Sequence, residues 1–493
     1  MVSVTDSDLA TCSGPADAGE GGVSNCCRPS QDEAEYLCYF MHRLLDFRHP
    51  EIRSLVSLLD SRDNRNSADV NFELPCGGSY LSPFWYVRLP SEALARSIAQ
   101  RSLLVKGFLE LWGEGETWDK LIASVRSFPI ARRKRWTDPS ITFKFVVDGW
   151  GKAIKQQDQI AIMHKFQFLG LQGPIKMHCP DLTLRIIVAD SSDNNGLPGE
   201  VPYRIYFGRE VACTDRSIIY KYGLPHRKYL GPTSMDTEMA FIMCNQGQVK
   251  RGDLVYDPFV GTGSILVAAA HFGAHTMGAD IDIRVVRDGK LNKSGQQMDV
   301  WENFRDYNLT PPVGLLRADA HRLPFRSSLQ EVFDAIICDP PYGVRAGGKK
   351  SVAKEHKVKC SETHIPSTDP YSFEECLKDL LHLAAKHLKL GARLVFFLPS
   401  APGLDKVAEA TAHPMLTLLE NSEQPLTTRY SRRLVTLCKT AAYDEELERK
   451  AFAEGAPLMT QAKSIHERVY ESQQKARIAG GNPHLQRYRG KLV

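Results

Sequence analysis

The chain has no run of eighteen apolar residues, the length a helix needs to cross a bilayer, so no membrane span is expected. Its twelve cysteines never fall in the spacings of a zinc knuckle or a redox Cys-x-x-Cys, and only Cys26 and Cys27 are adjacent. No metal site is therefore expected, and scattered free thiols suit a reducing, cytoplasmic setting. Net charge is only +4 over 493 residues, too little to imply nucleic acid by itself. A spaced G-x-G-x-x-G is missing, which argues against a dinucleotide such as NAD. The first thirty-odd residues lack both the apolar core of a secretory signal and the Arg-rich character of a transit peptide. Rich in Ser, Gly, Asp and Glu, they are expected to be disordered. A chain this long exceeds one hydrophobic core and implies two or three domains.

What is present centres on Asp339-Pro340-Pro341-Tyr342, directly after the apolar run Phe333 to Cys338. That run reads as a buried strand, and two prolines end its pairing because proline has no backbone donor. A carboxylate, a carbonyl held extended before proline and an aromatic ring are thus fixed at a strand's carboxyl end, where open α/β sheets bind ligands. Acceptors beside a stacking face suit a planar exocyclic amine, and the expectation is an amino-group methyltransferase.

A methyl-donor site is legible upstream. Leu254-Val255-Tyr256 reads as a strand, Asp257-Pro258-Phe259-Val260-Gly261-Thr262-Gly263 as the turn after it, and Ser264 to Phe272 as an apolar helix. An acidic residue at the head of this turn disfavours phosphate and suits a cation such as the ammonium of S-adenosyl-L-methionine. Asp280-Ile281-Asp282, about twenty residues on, places carboxylates for ribose hydroxyls. Asp319, after the strand Val313 to Arg317, is positioned for an adenine amine. Ordinary capping is the plain alternative for Asp282 and Asp319.

Before residue 206 strands and helices interleave as in an α+β unit. The strand readings are Ser82 to Leu89, Ser102 to Trp112, Ile141 to Val147 and Leu182 to Val188. The helices are Arg53 to Leu59, Ala93 to Arg101 capped by Ser91, and Gln156 to Phe168, while Glu35 to Phe47 fits either element. Arg132-Arg133-Lys134-Arg135 followed by Trp136 is either a solvated loop or a phosphate-contacting patch. Tyr206 to Tyr229 reads as a linker, and Thr237 to Asn245 as a helix with capping chemistry at Thr233 to Asp236. Glu374 to Leu390 and Arg393 to Leu398 are scaffold, and Lys349 to Lys359 is a flap or a solvated loop.

With these segments assembled, the chain resembles the eukaryotic tRNA guanosine-10 N2-methyltransferase family, THUMP-containing class I methyltransferases. The likeness is carried by Phe108 to Gly113, Ile205 to Arg209, Gly231 to Asp236, Asp257 to Gly263, Ala270 to Ala274, Asp280 to Asp282, Ile337 to Gly343 and Ser431 to Thr436. It implies an α/β fold, a Rossmann-like class I methyltransferase domain preceded by an α+β THUMP-type RNA-binding region. The implied divisions are a disordered extension over 1–34, the THUMP-containing region over 35–205 and a linker with the start of the catalytic domain over 206–245. The Rossmann-like domain follows over 246–442 and a basic tail over 443–493. It also implies methylation of the exocyclic N2 amine of guanosine 10 in tRNA, S-adenosyl-L-methionine as donor, and a small zinc-binding activator subunit as partner. By motif match, Thr233 and Asp236 would lie near the donor's methionine moiety, Asp257, Phe259, Gly261 and Gly263 beneath it, and Asp280 at the ribose. Asp339, Pro340, Pro341 and Tyr342 would hold the base. Methylation of adenine or of a protein amide, and a non-catalytic RNA-binding relic, are the competing readings of the residues alone.

Overall fold

A computed structural model of the chain describes residues 34–60, 70–193, 196–231, 234–292, 294–341, 349–351, 368–400, 406–427 and 430–454. In the N-terminal half, β1 (Ala34–Phe40), β2 (Phe72–Glu73), β3 (Phe84–Leu89), β4 (Val105–Gly115), β5 (Phe143–Trp150), β6 (Leu182–Ala189) and β7 (Arg204–Cys213) form one sheet. Its order is β2-β3-β1-β4-β7-β6-β5, antiparallel except for the β5–β6 pair. The helix Glu92–Arg101 starts at Ser91, whose side chain accepts from the Leu94 N–H at 3.2 Å and so satisfies an orphan donor of the first turn.

Three local expectations change here. Glu35 to Phe47, ambiguous in sequence, is β1 followed by a 3-10 turn, Leu45–Phe47. The next helix spans Arg48–Leu59 rather than starting at Arg53, with Pro50 in its first turn, where a missing N–H costs nothing. Tyr206 to Cys213 is no linker: it forms most of β7, an interior strand between β4 and β6. The buried Arg209 broke the apolar pattern there, and it is held by Glu92 and Glu110 instead of water.

The C-terminal half contains β8 (Leu254–Asp257), β9 (His275–Asp280), the hairpin β10 (Lys290–Leu291) and β11 (Gln297–Met298), β12 (Gly314–Arg317) and β13 (Phe333–Cys338). A small antiparallel pair, β14 (Lys349–Ser351) and β15 (Thr368–Pro370), precedes β16 (Leu388–Ser400), β17 (Leu416–Pro425) and β18 (Ser431–Lys439). The large sheet runs β12-β9-β8-β13-β16-β18-β17. Its first five strands are parallel, β18 runs antiparallel to β16, and the edge strand β17, antiparallel to β18, runs with the first five, which is the Rossmann-like α/β arrangement expected. The flap reading is described only at Lys349 to Ser351, where it is β14; residues 352–367 lie outside the described residues, as do residues 1–33. The tail begins as an acidic helix, Glu445–Glu454. Its Glu448 accepts from Tyr443 at 3.0 Å and meets His382 and His413 at 2.8 and 3.1 Å, so this part of the tail is docked; residues 455–493 lie outside the described residues.

The two halves share a hydrophobic core that runs from Tyr36 and Ile52 through Phe241 to Leu434. At the seam Glu51, fully buried, accepts from Ser102 Oγ (2.6 Å), Leu103 N (2.9 Å), Leu104 N (3.1 Å) and Asn245 Nδ2 (2.8 Å). Arg101 Nε donates to Asn245 Oδ1 at 2.9 Å, and Arg393 Nη1 donates to Ser54 Oγ at 3.0 Å. Arg53 forks onto Glu420 of β17 at 2.6 and 2.8 Å. A buried carboxylate satisfied by donors from both halves fixes their relative orientation, because separation would strand all of them.

Candidate active site

Four carboxylates stand at or just beyond the carboxyl ends of four adjacent parallel strands: Asp319 after β12, Asp280 on β9, Asp257 on β8 and Asp339 after β13. Strand order reverses between β8 and β13, so Asp257 and Asp339 flank the topological switch point, the usual ligand crevice of such a sheet.

Asp257 is buried and accepts the Phe259 N–H at 2.9 Å. Burial pushes its carboxyl well above the usual carboxylate range, against that hydrogen bond, and the nearby Asp280 and Asp339 push it the same way. Asp280 accepts from Gly261 N (3.2 Å) and Asp282 N (2.9 Å), which ties the glycine turn to the end of β9. Burial raises it too, against those backbone amides.

The turn needs glycine at two points for different reasons. Gly261 has φ +48°, and a Cβ there would meet nothing nearer than Phe259 O at 3.9 Å, so the space above it is open to a ligand. Gly263 has φ +77°, and its added Cβ would lie 2.7 Å from Val300 Cγ1, so it is required by packing. The segment before the helix Thr237–Gln246 lies over this turn: Ser234 Oγ is 2.8 Å from Thr262 Oγ1. Asp236 is the N-cap of that helix, accepting from Met239 N at 3.2 Å.

The other predicted residues divide. Asp282 caps its own turn, accepting Arg284 N at 3.0 Å and pairing with the Arg284 guanidinium at 2.5 Å, as the capping alternative anticipated. Asp319 is a buried strand-end carboxylate that also accepts His321 N at 2.9 Å, so both readings describe it. Asp339 is half-buried, with Pro340 buried beside it, and its Oδ2 accepts from Arg432 Nη1 at 3.4 Å. Thr233 and Tyr342 lie outside the described residues. The sequence reading missed Arg432, although two arginines in a strand as apolar as Leu434 to Leu437 were a visible signal.

A second polar site lies in the N-terminal half. The basic run is a helical turn, Ile130–Arg133, continued by the 3-10 segment Lys134–Thr137, rather than a loop. Arg132 donates to Glu110 Oε1 at 2.7 Å, while the Trp136 ring carries Arg135 at 4.4 Å and Arg209 at 5.2 Å. These residues line adjoining clefts of about 500 and 320 Å³ with Glu92, Arg96 and Thr183. Such a cleft offers cations and a ring face together.

Residues 34–216 match the family model described as Tmrp11 THUMP N-terminal domain, and residues 225–364 the one described as RMKL-like, methyltransferase domain. The chain is 35% identical over 421 residues to the Mus musculus tRNA (guanine(10)-N(2))-methyltransferase TRMT11, covering 83% of this chain and 89% of the relative. The Homo sapiens protein of the same name is 34% identical over 423 residues, with the same coverage. That of Dictyostelium discoideum is 35% identical over 436 residues, covering 85% of this chain and 84% of the relative.

Proposed function

The chain belongs to the tRNA (guanine(10)-N(2))-methyltransferase TRMT11 family, and we propose that it is the catalytic subunit that methylates the exocyclic N2 amine of guanosine 10 in tRNA. The row of strand-end carboxylates beside Asp339-Pro340-Pro341 carries this reading, because it joins a site for a cation to acceptors for an amine.

S-adenosyl-L-methionine, when bound, supplies a methyl group on a positively charged sulfur. The chain's own chemistry fits such a ligand. Buried Asp257 and half-buried Asp280 stand near one another with raised carboxyls, an arrangement that an entering cation would relieve. The open face of Gly261 leaves room for the ligand. Asp280 is the better ribose acceptor of the pair at the end of β9, since Asp282 is engaged by Arg284. Asp319 would meet the adenine.

Guanine's amine is a poor nucleophile because its lone pair is delocalised into the ring. Asp339 and the Pro340 carbonyl would accept its two N–H bonds, favour pyramidal nitrogen and stabilise positive charge as it develops, a contribution of several kcal/mol in other enzymes. Tyr342 would stack on the flipped base. The Arg135–Trp136–Arg209 cleft suits a nucleotide of the same tRNA, phosphate to guanidinium and base to ring.

A small zinc-binding activator subunit is the proposed partner. Of the two edges of the catalytic sheet, β17 faces the N-terminal half through Glu420 and Ser422. The other edge, β12, pairs among the described residues only with β9 and is preceded by the exposed Val313, and an open edge is a ready surface for an added strand. No helix among the described residues is long and apolar enough to cross a membrane, and the eight described cysteines are all free, which supports a cytoplasmic location.

The test is incubation of the purified chain, with and without the activator, with labelled donor and unmodified tRNA. Label in tRNA is expected; label in DNA or protein but not in tRNA would overturn the reading.

A further inference from the structure

Arg432 is a cation inside the catalytic sheet that the reading above leaves unused. It lies on β18 opposite Pro399 of β16 and Gln424 of β17. Contacts among the described residues hold its guanidinium in place. Its Cζ sits 3.7 Å from the centroid of the buried Phe397 ring. Nε donates to Gln424 Oε1 at 2.7 Å. Nη1 then reaches Asp339 Oδ2 at 3.4 Å, and only 13% of the side chain is exposed. Asp339 lies one residue beyond the Cys338–Phe396 pair of β13 and β16, so the ring beneath the guanidinium belongs to the strand next to the carboxylate.

We propose that Arg432 is a positioning residue for the methyl-acceptor site: held by Phe397 and Gln424, it aims the Asp339 carboxylate at the amine. The proposal rests on Asp339 being the residue that receives the amine. The need for a cation there is electrostatic. Asp339 shares the switch point with Asp257 on β8, adjoins the buried Cys338 thiol on its own strand, and meets Arg432 from β18. The Asp339 carboxylate is one of the charges that push Asp257 up, and Arg432 brings the opposing charge to it from β18. Arginine suits the task because its planar group can lie against a ring while its fixed fork of N–H groups donates to two acceptors, a rigid geometry that a lysine ammonium lacks. The long 3.4 Å contact is of the kind that tightens when substrate arrives.

The test compares wild type, Arg432→Gln, Arg432→Lys and Gln424→Ala in tRNA methylation across pH, with donor binding measured separately. Arg432→Gln is expected to lower kcat by about 10–100-fold, leave donor binding within about twofold, and move the acidic limb of the rate profile to higher pH. Arg432→Lys should restore the limb but only part of kcat, since charge returns without the fork. Gln424→Ala, which keeps the charge and loosens the plane, should lose a few-fold in kcat with the limb in place; it carries the test if Arg432→Gln does not fold. Arg433→Gln, on the same strand but paired to Glu423, should leave the limb unmoved. Wild-type kcat and an unmoved limb in Arg432→Gln, or wild-type kcat in both Arg432→Lys and Gln424→Ala, would overturn the proposal. A wild-type protein that labels no tRNA would instead overturn the functional reading beneath it.

Discussion

In the N-terminal sheet the charged groups at the polar cleft are guanidiniums buttressed by carboxylates; in the catalytic sheet they are carboxylates buttressed by backbone amides. Arg209 on β7 is buried between Glu92 and Glu110, and its bonds hold the Glu92 carboxyl down to about 2. Asp257 and Asp280, at the ends of β8 and β9, have among the described residues backbone N–H groups to set against burial and neighbouring carboxylates, and their carboxyls are pushed up. The first arrangement is electrostatically complete and can present Arg135 and Trp136 to a polyanion. The second is electrostatically incomplete by itself, and the cation of the proposed donor would complete it. One chain thus carries two sheets of equal strand number with opposite electrostatic demands, and Glu51 bolts them together.

The largest break in this comparison should come from the acceptor side. Asp339→Ala is expected to cut methyl transfer by at least about 10²–10³-fold, comparable to losing a principal transition-state acceptor, while donor binding measured by calorimetry stays near wild type. Next, Glu51→Ala leaves buried donors from both halves without an acceptor and should destabilise the protein by about 2–4 kcal/mol in urea unfolding, with the two halves ceasing to unfold together.

Asp257→Asn separates function from stability. The folded-state pKa of Asp257 lies above the unfolded value of about 3.9, so the folded protein bears no cost below about pH 4 and a growing one as pH rises through the folded value. Without donor, the variant should therefore be more stable than wild type at pH 7, by about 1–3 kcal/mol, and equal to it near pH 3–4; donor binding should be lost. No gain at pH 7 would contradict the incomplete site described for the catalytic sheet. The smallest effects belong to the N-terminal cleft. Trp136→Ala should weaken tRNA binding by about 1–2 kcal/mol, roughly tenfold, and Arg135→Gln should lower the salt slope of binding by about 1, neither changing kcat.

The catalytic half was legible because its elements are short and regular: apolar β8, a glycine turn, an apolar helix, and prolines that end β13. Each strand-end carboxylate could be located by counting from its strand. Which of them turn inward could not, since Asp282 is taken by Arg284 through a local contact with no periodic signature. The N-terminal half was harder because buried charge imitates exposure. Arg209 made β7 look like a linker, and Glu51 sat unnoticed in a helix, its acceptors filled by donors from both halves of the chain. Arg432 belongs to the same class, since its partners Phe397 on β16, Gln424 on β17 and Asp339 just past β13 meet only in the folded sheet.

The most direct test of the central claim is to offer the enzyme, with the proposed activator and labelled donor, a tRNA carrying guanosine at position 10 and the same tRNA carrying inosine there. Inosine keeps the ring and lacks only the 2-amino group. Label is predicted in the guanosine tRNA, recovered as N2-methylguanosine at position 10, and none at that position in the inosine tRNA. Equal label in both would contradict an Asp339 site built for that amine.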